Sequence, residues 1–247
     1  MAQFNLEIAG KIAQVHTLFD STRDYFRPYL TEKQPHFSIR VSRKDLEFEQ
    51  AELLAEAHAE GFKPRVFTDP FLERASIQRS FAEYLFDRDT LLFHGSAIAV
   101  DGQGYLFTAK SGTGKSTHTR LWRDVFGERA VMVNDDRPFL QIGNQGVTVC
   151  GSPWSGKHGL DANLAVPLKG ICILERGAEN QICPLSPADA LPRLLHESYC
   201  PMDPKKQPQF EQLVFRLSRS IPLWKMQCNK EPRAAQVSFE AMSRARD

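Results

Sequence analysis

Apolar and polar positions change their period several times along the chain, and each change predicts an element. Residues 4–8 and 12–19 alternate, which predicts two strands near the N-terminus. Residues 21–30 read as a short helix that Pro28 disturbs, because proline has no N–H to give to the helix ladder. Residues 37–41 are strand-like. Ser42 then stands as a helix N-cap with Asp45 in the capping-box place. The apolar set Leu46, Phe48, Leu53, Leu54 and Ala57 carries that helix to a stop at Gly61. Residues 63–67 predict one more strand. Asp69-Pro70 opens a helix over 71–86, with Ile77, Phe81 and Leu85 on one face.

From Thr90 the pattern becomes strand-rich. Residues 91–100 and 105–109 flank an Asp101-Gly102 turn, which predicts an antiparallel hairpin rather than a plain βαβ repeat. A helix follows over 115–126 and a short apolar strand over 130–133. Residues 139–142 and 147–150 predict a second hairpin turning at Gly143-Asn144. A Gly/Ser-rich loop, GSPWSGKHG, spans 151–159. Residues 168–174 are strand-like. A helix over 187–196 has Ser186 as its cap, and residues 200–208 form a polar, proline-rich loop. Residues 210–217 read as a helix, 221–227 as a strand and 233–244 as a terminal helix. No internal repeat or low-complexity tract is present.

Composition narrows the class. The 247 residues, 42% hydrophobic and 25% charged, suit one large α/β domain or a domain with a smaller lobe. A net charge of +1 gives no bulk attraction to nucleic acid or an anionic membrane. No apolar run approaches the roughly 20 residues that span a bilayer, and no secretory signal is read at the N-terminus. Cys150, Cys172, Cys183, Cys200 and Cys228 are scattered and odd in number, so buried, reduced thiols in a cytoplasmic protein are expected.

The strongest chemistry lies between the two strand-rich hairpins. Ala109-Lys110-Ser111-Gly112-Thr113-Gly114-Lys115-Ser116 matches the phosphate-loop pattern at every position but the first, where Ala replaces Gly, and Thr117 follows it. Gly112 and Gly114 let backbone N–H groups turn towards phosphate oxygens, and the next helix points its positive end the same way. Lys115 supplies a cation for the outer phosphates and Ser116 a hydroxyl for Mg²⁺. Asp135 and Asp136 end an apolar strand about twenty residues later, where such proteins place the carboxylate that holds Mg²⁺; a second one can take a proton from an attacking hydroxyl. In the predicted hairpin, His94 lies near the loop end of the neighbouring strand, as a metal ligand or a partner for the acceptor. Ser155, Gly156 and Lys157 form a second candidate anion cradle, over which Trp154 either closes on a ligand or packs on the core. Arg137, Asn163 and Lys169 lie close to these loops but read as surface residues before site residues. His118, a candidate to face the nucleotide, and Arg120 stand on the helix after the loop, where a solvated face explains them as well. Lys205 and Lys206, candidates for contact with an acidic substrate, suit a charged loop.

The assembly HGSAIAVDGQGYLFTAKSGTGKST, followed by VMVNDD, resembles the kinase core of HPr kinase/phosphorylase. It is also similar to the nucleotide site of ATP-dependent phosphoenolpyruvate carboxykinase. The resemblance covers residues 91–136 well and extends weakly to about 228. It implies an α/β fold with a mixed β-sheet P-loop kinase core over 89–247; the residue pattern, which changes near Asp87, makes residues 1–88 an N-terminal α+β lobe of its own. It implies that Lys115 contacts β- and γ-phosphates, Ser116 binds Mg²⁺, Asp135 and Asp136 supply metal binding and the base, and His94 sits by the transferred phosphate or a second metal. Self-association is implied in the same way. Residues 1–88 have no counterpart in the separate N-terminal domain of full-length HPr kinases, so HPr itself is not implied as acceptor.

Three functions follow. The first is transfer of the γ-phosphoryl of Mg-bound ATP, or another nucleoside triphosphate, to a hydroxyl of a small molecule or of a peptide or protein serine. The lobe over 1–88 would bind that acceptor. The second is a carboxykinase-like reaction on a dicarboxylate. The third is a non-catalytic nucleotide sensor or scaffold.

Overall fold

The computed structural model describes residues 2–59, 61, 63 and 65–244. They form a mixed α/β structure of two compact units, residues 1–84 and 85–247. Among the described residues no helix is long and apolar enough to cross a membrane.

In the first unit, β1 (Gln3–Ile8) and β2 (Lys11–His16) pair antiparallel around a two-residue Ala9-Gly10 turn, both residues at positive φ. β2 stops before residue 19 because the Leu18 N–H is taken by the buried Glu73 carboxylate. Helix α1 (Ser21–Tyr25) ends where a 3₁₀ turn, Arg27–Tyr29, accommodates Pro28. Strands β3 (Leu30–Thr31) and β4 (Phe37–Arg40) complete a sheet of order β3-β1-β2-β4. Helix α2 (Arg43–Ala59) starts behind Ser42, whose N–H and hydroxyl both donate to Asp45. The strand expected over 63–67 is not found at residues 63 and 65–67, and residue 64 lies outside the described residues. The Gln50 side chain occupies that backbone, bonding Arg65 O and Phe67 N. Helix α3 (Asp69–Phe86) follows, its Phe81 and Tyr84 packed on Phe37.

The second unit is built on a nine-stranded mixed sheet. The single strand expected over 91–100 is two, β5 (Thr90–Leu92) and β6 (Ser96–Val100). The break lies at residues 93–95, whose N–H groups bond Pro138 O, Glu197 O and Asp136 O instead of a strand ladder. β6 and β7 (Gln103–Thr108) form the expected hairpin about Asp101 and Gly102, both at positive φ. Helix α4 (Lys115–Phe126), β8 (Ala130–Asn134), β9 (Phe139–Gly143) and β10 (Gly146–Cys150) come next. The β9–β10 turn falls at residues 144–145, one position later than expected, with Gly143 paired to Gly146. The long strand β11 (Ala165–Arg176) pairs in parallel with β7 on one side. Its other side is shared, first by β10 and then by β13 (Leu223–Cys228). β12 (Gln181–Pro184), unexpected from the sequence, adds antiparallel to β13. Helices α5 (Pro187–Glu197), α6 (Gln207–Ser220) and α7 (Pro232–Ser243) complete the unit. The segment expected as a loop over 200–208 contains a 3₁₀ turn, Pro204–Lys206, that Asp203 caps.

The central strands are buried on both faces, and their two-residue period sorts side chains between two cores. Leu106, Ala97 and Ala99 join α5 and α6 residues such as Leu194, Phe210 and Val214. Tyr105, Phe107, Ile98 and Val100 join Trp122 of α4 and Ala234, Ala235 and Met242 of α7. Cys150 and Cys172 are buried, whereas Cys183 and Cys200 are exposed, so only part of the thiol set lies in the core.

His118 belongs to this second core rather than to solvent or the loop mouth. It bonds Ser238 Oγ at 3.0 Å and accepts from Trp122 Nε1 at 3.2 Å, joining α4 to α7. Its Nδ1 is buried with no hydrogen-bond partner among the described residues. Burial pushes its pKa down from 6.5 to about 4. Between those values the unfolded chain holds the extra proton, so His118 costs stability as pH falls from 6.5 to 4. We expect a loss of about 3 kcal/mol from this residue. Urea titrations should show His118→Asn closing most of its stability gap to wild type between pH 7 and pH 4.

Candidate functional site

The antiparallel register of β6 places the candidate residues at one edge of the sheet. Ser96, at the start of β6, faces Phe107 near the end of β7, and Ala97 faces Asn134 at the end of β8. The chain therefore enters β6 where it leaves β7 and β8. His94, the loop after Thr108 and the Asp135-Asp136 pair meet at that edge, where Thr108 Oγ1 donates to His94 O at 3.1 Å.

The loop after β7 is shaped by two glycines. Gly112 (φ 74°) and Gly114 (φ 125°) occupy backbone conformations that side chains resist. A Cβ on Gly112 would meet nothing within 4 Å, so the loop is open there. Ala109 is buried and not at positive φ, so this position needs no glycine. Lys110 and Ser111 are exposed, and Thr113 N closes a turn on Lys110 O. Lys115, Ser116 and Thr117 form the first turn of α4, whose leading N–H groups have no carbonyl to bond within the helix. Lys115 Nζ reaches back to Ala109 O at 3.5 Å. Burial lowers the Lys115 pKa, against the pull of Glu197, Asp136 and Asp135. Arg176 at the end of β11 donates to Gly112 O at 2.6 Å and braces the loop from outside.

Asn134 shapes the acid pair. Its Oδ1 accepts from the N–H groups of Asp136 and Arg137 at 2.7 and 2.6 Å. Its Nδ2 donates to Ser152 O at 2.7 Å, tying the turn to the 151–159 loop. Asp135 is buried and accepts from Ser96 Oγ at 2.7 Å, while Ser96 Oγ lies 2.9 Å from Thr119 Oγ1 on α4. One carboxylate is thus tied to the helix that carries Lys115 and Ser116. Asp136 is more open and faces His94, its Oδ1 3.4 Å from Nε2. Burial pushes the Asp136 carboxyl up, but His94, Arg137 and Lys115 outweigh it and hold the carboxyl below its usual range.

His94 is gripped from the other side by Glu197, the last residue of α5. His94 N donates to Glu197 O at 2.7 Å, and Nδ1 lies 2.9 Å from Oε2. Burial lowers the His94 pKa, but the bonds to Asp136 and Glu197 outweigh it and leave it raised. Burial likewise raises the Glu197 carboxyl, yet His94 and Arg193 bring it down to about 2.

The remaining candidates divide. Gly156 (φ 69°) lies against Asp136, where an added Cβ would come within 3.3 Å of the Asp136 Cβ. Ser155 is buried and donates to Asp161 at 2.5 Å, whereas Lys157 is exposed. Trp154 is buried against Phe139, so it packs in the core. Arg137 stands 3.9 Å from Asp136. Arg120, Asn163 and Lys205 are exposed, and Lys169 is half-buried. Lys206 pairs with Asp87.

Among the described residues no group of three or more His, Cys, Asp and Glu side chains is arranged to hold a metal by itself. The donors at the loop mouth are the Ser116 hydroxyl and the Asp135 and Asp136 carboxylates. This all-oxygen set fits Mg²⁺, which keeps water and phosphate oxygens for its other positions. Sequence reasoning missed Glu197, Ser96, Thr119 and Asn134 as members of the site. Glu197 alone carried a readable signal: it falls on the apolar stripe of α5.

A family model described as SynChlorMet cassette protein ScmC matches residues 77–233. That is more than half of the chain. The chain belongs to the ScmC family. The stretch matched by the ScmC model contains His94, the glycine-rich loop, Asp135, Asp136 and Glu197. No curated protein matches the chain. Among solved structures, the chain is similar to the Hpr(Ser) kinase/phosphatase from Coxiella burnetii at 14% identity and a TM-score of 0.34. That similarity covers 62% of this chain and 93% of the other. It is too loose to carry function to this ScmC-family chain.

Asn134→Ala removes the acceptor for two N–H groups and a buried donor. We expect a loss of about 2–4 kcal/mol in urea unfolding.

Proposed function

We propose that this chain is an ATP- and Mg-dependent phosphotransferase with a hydroxyl acceptor, a small molecule or a peptide or protein serine. The observation that carries the reading is the convergence at one sheet edge of the open glycine loop, Lys115, and two carboxylates held differently. The motif resemblance to HPr kinases supports it.

In this reading the loop from Ala109 to Thr117 holds the donor phosphates through backbone N–H groups and the N-terminus of α4. Lys115 neutralises charge on the outer phosphates. Ser116 and Asp135 hold Mg²⁺, which supplies charge neutralisation when bound. Ser96 and Thr119 keep Asp135 registered to the helix carrying Ser116. Asp136, the more open carboxylate, accepts the proton of the acceptor hydroxyl, and His94 keeps its Oδ1 oriented. The oxygen attacks the γ-phosphorus as the bond to the leaving nucleoside diphosphate breaks. Gly156 lets the 155–158 turn approach Asp136, and Lys157 on that turn meets the acceptor or the γ-phosphate.

γ-Labelled ATP incubated with wild type and a cell extract should label a discrete acceptor. Lys115→Ala should weaken ATP binding measured by calorimetry. Asp136→Asn should keep binding and slow transfer roughly 10²–10⁴-fold. ATP binding with no label transferred to any component would favour the sensor, and CO₂ release from oxaloacetate with ATP would favour the carboxykinase.

A further inference from the structure

The apolar stripe of α5 ends in a carboxylate. Ala190, Leu194 and Glu197 follow the i, i+4, i+7 spacing of one helix face, and all three are buried. The first two join the core beneath the sheet. Packing alone would be served by leucine at residue 197, and a buried carboxylate is costly unless it is bonded. Here it is bonded on both oxygens. Oε2 faces His94 Nδ1 at 2.9 Å, while Oε1 meets Arg193 at 3.0 Å and His196 at 3.3 Å.

The backbone fixes the same contact. Around the His94 N–H bond to Glu197 O, Tyr199 N donates to Leu92 O at 2.9 Å and Phe93 bridges Ser198. The end of α5 is therefore stitched to the chain entering β6, and His94 cannot shift without disturbing both. A carboxylate at Nδ1 keeps that nitrogen protonated and directs Nε2 towards Asp136 and the loop mouth.

We propose that Glu197 is a positioning residue: it fixes the orientation of the His94 ring so that Nε2 stands beside Asp136 at the mouth of the glycine-rich loop. The kinetic consequence rests on the phosphotransfer reading; the ring orientation does not.

Two variants separate positioning from packing. Glu197→Gln keeps an oxygen that accepts from Nδ1–H. Glu197→Leu continues the apolar stripe and removes the acceptor. Long-range ¹H–¹⁵N correlation of the full chain at pH 7 reads which ring nitrogen of His94 is protonated. Wild type and Glu197→Gln should both show a slowly exchanging Nδ1 proton. Glu197→Leu should lose it while unfolding in urea at a midpoint no lower than wild type. With ATP and the labelled acceptor, Glu197→Leu should lower kcat roughly 10–100-fold with the ATP dissociation constant unchanged, and Glu197→Gln should recover most of that loss. An Nδ1 proton in Glu197→Leu indistinguishable from wild type would overturn the proposal, as would equal kcat losses in the two variants. If wild type transfers no label, the phosphotransfer reading fails, while the His94 resonances still decide the role of Glu197.

Discussion

β6 runs antiparallel between β7 and β8; its register with β7 is unbroken, and its register with β8 shifts between Ala97 and Ile98, where Ala97 meets Asn134. Because of this insertion, one strand begins where its two neighbours end. The entry to β6, the exit from β7 and the exit from β8 share a sheet edge, and each carries polar residues just past the last buried position. The strands are held there by apolar side chains divided between two cores. A one-residue slip in β6 would turn its alternating set to the wrong faces. It would also separate Ser96 from Asp135. Packing and site geometry thus depend on the same register.

The polar groups at that edge form a linked set of opposite charges. Lys115 lies in the field of Glu197, Asp136 and Asp135, while His94 spans Asp136 and Glu197. Partly buried charges persist only when paired and hydrogen-bonded. Asn134 answers the same demand for the backbone, saturating two N–H groups in the turn after β8 and a carbonyl in the 151–159 loop. The two aspartates end up unlike each other for a local reason. One is tied down through Ser96 and Thr119, and the other is left facing a histidine.

The hairpin at Asp101-Gly102, the helix after Lys115 and the strand before Asp135 were legible because each depends on short-range chemistry. Turn residues tolerate positive φ, glycines open a loop, and apolar runs end in acids. The break in the strand over 91–100 was not legible, because its N–H groups are taken by residues 136, 138 and 197. The strand expected over 63–67 failed for a related reason, a glutamine side chain occupying the backbone. His118 stands in the loop-bearing helix, yet the helical period turns it inward to Trp122 and Ser238. Trp154 sits in a polar loop, but its ring is in the core.

The amino-acid sequence by itself determined the ingredients of the candidate site: a glycine-rich loop at the start of a helix, a lysine and a hydroxyl within it, two adjacent acids and a histidine before a hairpin. Those follow from residue type and spacing within about forty positions, where backbone conformation is a local matter. Only the tertiary structure decided that Glu197, about a hundred residues beyond His94, closes on that histidine from the end of a helix. Only it decided which aspartate is tied and which is open. These are contacts between distant segments, set by sheet register and by the need to pair buried charge, and no local pattern encodes them.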